Sequence, residues 1–268
     1  DFDLQIFPDH ELGHNIIGNE STVNKFSRDD FFKFLNKHLD TEKIVFAYVG
    51  GLEPQKVQSK AERFFAEVPM KKSQSVRIPF LNYQPKHLKV ETPFKQVHCA
   101  MGTTAFSSSQ PERIPFFLLC NMLGGPAMNS KLNIELREKR GLVYHVEATF
   151  HPFTDSGLFA IFFGTDLKNL EKCTQIIQQQ IKKITEGDFS ESVLKTYKSQ
   201  LLGQMAIGEE RNNGVMLSMA RSYLDLGKVD SFETIKAQIE GITKDQVVST
   251  ANEVLTIDKL SSLAFLPK

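Results

Sequence analysis

The sequence predicts an α+β fold: two related α/β sandwich-like domains, each a mixed or antiparallel sheet packed with helices, the first of them truncated. Three observations carry that expectation. Helical and strand periodicities interleave along the chain, with strand pairs close enough in sequence to run antiparallel. A capped helix leading through a short turn into an apolar strand occurs twice, at Ser27 and, 216 positions on, at Thr243. The 268 residues exceed one average domain, and 41% hydrophobic with 24% charged residues is the make-up of a folded chain with a sizeable core.

Each element has a local cause. Ser27-Arg28-Asp29-Asp30 has the form of a capping box, and Phe31, Phe34, Leu35 and Leu39 share one helical face behind it. The continuous apolar run 44–49, stopped by Gly50-Gly51, reads as a buried strand. Pro54 suits the first turn of a second helix with Val57, Ala61, Phe64 and Phe65 on one side. Lysines, Ser73, Pro79, Pro85 and Pro93 then break all periodicity, so 71–93 reads as a linker with short extended pieces. Beyond it come a strand at 96–102, a helix from Ser109-Gln110-Pro111 to Gly124-Gly125, a helix at 129–139 stopped by Gly141, and strands at 142–150 and 157–164. Leu170, Cys173, Ile176, Ile177, Ile181 and Ile184 mark an amphipathic helix. A long helical stretch, 191–226, carries a bend near Gly203 or Gly208, and helices at 232–240 and 244–255 precede a last strand, 260–266.

Composition excludes several functions. Thirty-two basic against 32 acidic side chains leave no net charge for binding nucleic acid through bulk electrostatics. No apolar run approaches the roughly 20 residues of a membrane helix. Cys99, Cys120 and Cys173 are odd in number and lack a CxxC spacing, which disfavours a disulfide framework and fits either a reducing compartment, the cytoplasm being favoured, or simple core thiols. The chain opens Asp1-Phe2-Asp3 without Met, and the expectation is that it starts inside a domain.

Two motifs could carry chemistry. His10-Glu11-Leu12-Gly13-His14 spells H-E-x-x-H, which on a helix sets two imidazoles on one face for zinc with Glu as base. Asp9, Gly13 and Gly18 leave that segment only about two turns, and Ile17 and Glu20 stand where a longer zinc motif needs Gly and His. A loop with two surface histidines is the alternative. The second motif is Leu136-Arg137-Glu138-Lys139-Arg140-Gly141-Leu142-Val143-Tyr144. It reads either as a charged helix end, a glycine stop and a strand start, or as a guanidinium and a phenol converging on a carbonyl to stabilise an oxyanion. Gly50-Gly51 and Gly124-Gly125 lack the flanks of a phosphate loop, and Ser107-Ser108-Ser109 lacks the G-x-S-x-G of a nucleophile.

In order along the chain, these segments resemble the pitrilysin/insulinase-type zinc metallopeptidases. Leu12-Gly13-His14-Asn15-Ile16-Ile17-Gly18 with its capped helix and the 44–51 run resembles the end of that family's first domain. Asn121-Met122-Leu123-Gly124-Gly125, Asn129-Ser130-Lys131-Leu132 and the Leu136–Tyr144 segment look like its downstream domain. The resemblance implies a metalloendopeptidase whose two bowl-like halves enclose unfolded peptides. It implies zinc held upstream of residue 1 by H-x-x-E-H and a distant Glu, with no metal in this fragment; no H-x-x-E-H occurs in the 268 residues. It implies Arg137 and Tyr144 as the catalytic pair, and a homodimer or pairing with a homologous half. The organisation expected is 1–70 as the tail of an upstream domain, 71–93 as linker and 94–268 as a complete non-zinc domain. A non-catalytic scaffold subunit, and an unrelated zincin using His10, Glu11 and His14, are the alternatives.

Overall fold

One mixed sheet organises the larger part of the molecule in the computed structural model, which describes residues 1–73 and 76–268. Gln74 and Ser75, inside the expected linker, lie outside the described residues. The strands are β1 (His87–Thr92), β2 (Val97–Thr104), β3 (Val143–Pro152), β4 (Gly157–Thr165) and β5 (Ser261–Pro267). Their spatial order is β1-β5-β2-β4-β3. β2 runs antiparallel to both β4 and β5, whereas β1 is parallel to β5, with His87 opposite Ser262. Every residue of β2 from Cys99 to Thr103 is buried, as befits a central strand. The strand β1 falls at the end of the expected linker, as one of its short extended pieces, here paired at the edge of the sheet. The segment HLKVET is exposed on both sides at the sheet edge, so no burial pattern marks it beforehand.

Alternation sends the side chains of each strand to two faces. One face, with Cys99, Phe159, Ile161, Phe163, Val146 and Phe150, meets the helix α5 (Arg113–Gly124); Cys173 of α6 (Leu170–Thr185) reaches Thr165 Oγ1 of β4 at 3.6 Å, and α10 (Lys244–Val254) packs on α5 and α6. Phe116 on α5 is fully buried there, 4.9 Å from the Phe150 ring and 5.7 Å from that of Phe159, both edge-on. The other face, with Ala100, Leu158, Ala160 and Leu263, is covered by Phe2 and Ile6 of the short helix α1 (Phe2–Ile6) and by Phe7 that ends it. Gln5 fastens α1 by donating from Nε2 to the carbonyls of Lys86 and Ser262, at 2.6 and 3.0 Å. No sequence signal marked α1, because five residues are too few to show a period.

By contact the chain divides into two units. The first holds Asp1–Asn15, Pro79–Leu202 and Phe232–Lys268, which includes the whole sheet. The second holds Ile16–Ile78 and Gly203–Ser231, with α2 (Glu20–Val23), α3 (Arg28–His38), α4 (Pro54–Phe65) and α8 (Asn212–Leu226). The long helical stretch divides as α7 (Glu191–Glu209) and α8, running through Gly203 and breaking just past Gly208. Helix α9 (Phe232–Gly241) follows.

The internal repeat has a structural counterpart. Ser27 and Thr243 each close a capping box, with Asp30 and Gln246 respectively. The helices they start, Arg28–His38 and Lys244–Val254, have the same length, and both copies then make a 3-10 turn, at Thr41–Lys43 and Ile257–Lys259. After the turn the copies part. The later one enters the sheet as β5. In the earlier one, residues 44–49 are extended but join no ladder, and Ile44, Phe46 and Tyr48 are exposed. The buried strand read from the sequence is therefore not formed, because no neighbouring strand among the described residues offers it a ladder. Phe31, Phe34, Phe64 and Phe65 are exposed for the matching reason: among the described residues, their unit holds no strand.

Candidate functional site

Arg137 and Tyr144 are separated by a helix end and a strand start, and each of those is built to an unusual pattern. After α5 the chain makes a π-helix, Asn133–Glu138, with Arg137 in its last turn. Lys139 N–H donates to the Ile134 carbonyl at 2.9 Å, the five-residue span of that helix type. The Glu135 carboxylate accepts from Lys139 Nζ at 2.7 Å and from Arg140 Nη1. These two bonds hold its pKa below the usual carboxylate range. Two cations are thereby drawn to Glu135. Arg137 is left with a long ionic contact, Nε to Glu138 Oε1 at 3.7 Å, and its side chain is 41% exposed.

Gly141 turns the chain back with φ +56°, and Gly141 and Leu142 N–H close the helix onto the carbonyls of Arg137 and Leu136 at 2.9 and 2.8 Å. A Cβ on Gly141 would meet no atom within 4 Å, so the glycine is there for its backbone angle. Gly141→Ala is expected to cost about 1–2 kcal/mol of stability, read from urea unfolding. An unchanged midpoint would show that the turn relaxes elsewhere.

Strand β3 starts with a bulge. Val143 pairs with Thr165 and Val146 with Phe163, so the β3 side carries one extra residue. Tyr144 and His145, inside the bulge, are consecutive and both exposed, where regular alternation would bury one of them. The start of the strand is pinned by Thr165 Oγ1, which donates to the Leu142 carbonyl at 2.7 Å. The outcome is that the Arg137 Cζ stands 5.6 Å from the Tyr144 ring centroid, and Tyr144 is 87% exposed. The structure brings together the two residues that the sequence singled out.

Tyr144 also borders a cavity of about 480 Å³ on the sheet face that α1 partly covers. Its walls are Phe2, His98, Ala100, Phe162 and Phe265, with His145 at the rim. His98 pairs with Gly164 of β4, and the β3 bulge that holds His145 faces the same stretch of β4, so two strand registers that no local pattern reveals bring both histidines to the cavity. His145 Nε2 lies 3.6 Å from Glu147 Oε2.

The H-E-x-x-H segment does not form the zinc-binding helix. Glu11–Gly13 is a single 3-10 turn, capped by His10, whose Nδ1 accepts from Leu12 N–H at 3.2 Å. The backbone at His14 is extended and its side chain is exposed, so the two imidazoles do not share a helical face. Among the described residues no group of three or more His, Cys, Asp and Glu is arranged to hold a metal ion. The residues present do not fit a zinc centre. The thiols are no better placed as nucleophiles: burial pushes Cys99 up to about 12 and Cys120 well above its ordinary range. Ser107 Oγ and Ser109 Oγ bond to each other at 2.9 Å. Among the described residues no helix is long and apolar enough to cross a membrane.

A family model described as the peptidase M16 inactive domain matches residues 25–201. An uncharacterized zinc protease of Rickettsia bellii is 26% identical over 258 residues, covering 96% of this chain and 62% of that protein. Another, from Bacillus subtilis, is 24% identical over 94% of this chain and 61% of its own length. The chain thus spans about three fifths of the curated relatives it matches. Among solved structures, the peptidase M16 inactive domain from Pseudomonas fluorescens superposes with a TM-score of 0.90 at 20% identity, over 99% of this chain and 64% of that one. A chain of complex III from Candida albicans superposes with a TM-score of 0.84 at 14% identity, over 98% and 64%.

Proposed function

Since the chain belongs to the peptidase M16 family, matching its inactive-domain model over two thirds of its length, we propose that it is the non-zinc portion of a zinc metalloendopeptidase acting on unfolded peptides. The observation that carries this reading is the Arg137–Tyr144 pair: a guanidinium standing over a phenol ring that is itself open to solvent. Arg137 offers a fixed positive charge with planar N–H donors, and Tyr144 offers one O–H. Both sit on rigid backbone, a closed helix end and a bulged strand. Donors held in place cost no reorganisation when the peptide carbonyl oxygen takes on negative charge, which is the condition for lowering a barrier and not merely binding. The zinc ligands belong to sequence outside these 268 residues, and the chain pairs with a homologous half to enclose the peptide.

The repeat supports a matching organisation. Residues 1–70 are the end of an upstream domain whose sheet would take up the free run 44–49, 71–93 connect, and 94–268 form the downstream domain. The contact units cut the chain differently, since Asp1–Asn15 joins the sheet and Gly203–Ser231 joins residues 16–78.

A second reading, a scaffold subunit without catalysis, draws on the shared fold with a chain of complex III, because a fold alone does not fix a function. The test is cleavage of an internally quenched, unfolded peptide by the intact protein. Cleavage that a chelator abolishes, and that Arg137→Ala slows about 100-fold in kcat/KM, is the expected result, with no cleavage by the 268-residue chain alone. An intact protein that never cuts the peptide overturns the enzyme reading in favour of the scaffold.

A further inference from the structure

We infer that the cavity beside Tyr144 is a pocket for one aromatic side chain of the bound peptide, with Gly164 as its floor. The inference rests on the reading of Arg137 and Tyr144 given above, because Tyr144 belongs both to that pair and to the cavity wall. A peptide held at Tyr144 has a neighbouring side chain within reach of the opening. The volume, about 480 Å³, falls in the range of sites that enclose a small ligand.

Gly164 is the second, independent observation. Glycine inside a strand weakens it and needs a reason. On Gly102 a Cβ would run into the Phe159 carbonyl, and on Gly157 into that of Phe106, so packing explains both. On Gly164 a Cβ would meet only the Val97 carbonyl oxygen, at an ordinary 3.8 Å. Among the described residues no other atom comes within 4 Å of that Cβ position, and Gly164 lines the cavity.

The wall chemistry selects the occupant. No lysine or arginine is among the lining residues, and Asp1 adds a carboxylate, so the walls set no side-chain guanidinium or ammonium against an acidic side chain. The walls are rings already set edge to face: Phe2 on Phe162 at 6.3 Å and 77°, and Phe265 on Phe94 at 6.1 Å and 76°. An incoming ring continues that arrangement, which an aliphatic chain does not. The imidazoles of His98 and His145 with the Tyr144 phenol provide polar groups at the mouth for the peptide backbone.

The test titrates N-acetylated, C-amidated Ala-Ala-Phe-Ala-Ala and its all-alanine counterpart into the 268-residue chain, followed by backbone amide NMR. The phenylalanine peptide is expected to bind at least about tenfold more tightly, with shifts centred on His98, Phe162 and Gly164. Gly164→Leu fills the floor and is expected to erase that preference while leaving the weaker alanine binding unchanged. If Gly164→Leu fails to fold, Phe265→Ala, which removes a half-buried wall, is expected to lower the preference instead. Equal binding of the two peptides, or a preference that survives in the folded variants, overturns the pocket. If Tyr144→Phe still depresses turnover in the intact protein, that failure leaves the catalytic pair standing. A retained preference with unchanged Tyr144→Phe turnover overturns the catalytic reading and spares the pocket. Binding of neither peptide counts against both.

Discussion

Tyr144→Phe in the intact protein is expected to lower kcat about 100-fold, the usual loss on removing one oxyanion donor, while KM changes by less than about threefold. The substitution deletes a single O–H. It keeps the ring that Arg137 stands over at 5.6 Å, so the guanidinium retains its support. Because Tyr144 is 87% exposed, its hydroxyl is not spent on the fold and its loss leaves stability untouched. A drop in kcat and kcat/KM together marks an interaction made in the transition state, whereas a rise in KM alone would mark simple binding. Peptide hydrolysis at saturating and limiting substrate separates these cases. Unchanged turnover removes Tyr144 from the reaction.

Phe116→Ala is expected to be the most damaging core substitution, at about 3–5 kcal/mol. The ring is wholly buried and meets three others, Phe106 at 5.4 Å, Phe150 at 4.9 Å and Phe159 at 5.7 Å, all close to edge-on. These contacts fasten α5 to β3 and β4. Helix α5 has nine buried residues out of twelve, and a helix surrounded on nearly every side cannot move inward to fill a hole on one of them. Chemical denaturation followed by circular dichroism reads the loss. A cost below about 1 kcal/mol would mean that the neighbouring rings repack.

The elements that could be read in advance are those whose cause is local. The capping boxes at Ser27 and Thr243 were legible because Ser or Thr with a partner three positions on is a backbone device independent of the rest of the fold. Arg137 and Tyr144 were legible as a pair through motif order, although the means of their meeting was not. A π-helix and an α-helix share almost the same sequence pattern, and a bulge shows only against the partner strand. The misreading of 44–49 has a plain cause: an apolar run states what a segment would bury, and its burial depends on neighbours that local sequence does not specify. The strand β1 is the opposite case, since it is exposed on both faces and its pairing comes entirely from β5, 175 positions away.

That position of β5 governs how the sheet can assemble. β1 and β2 are nearly consecutive in sequence, yet they are not neighbours, because β5 lies between them. During synthesis the two early strands emerge with a vacant slot one strand wide, and α1 has only part of its anchorage, since one of Gln5's two acceptors is the Ser262 carbonyl. Some 160 further positions must leave the ribosome before the slot can be filled. Closing a loop of that length is a search over distant contacts, the slow class of folding event. The β1-β5-β2 part of the sheet therefore cannot close until β5 is available. Until then the facing edges of β1 and β2 are open to any other extended chain nearby.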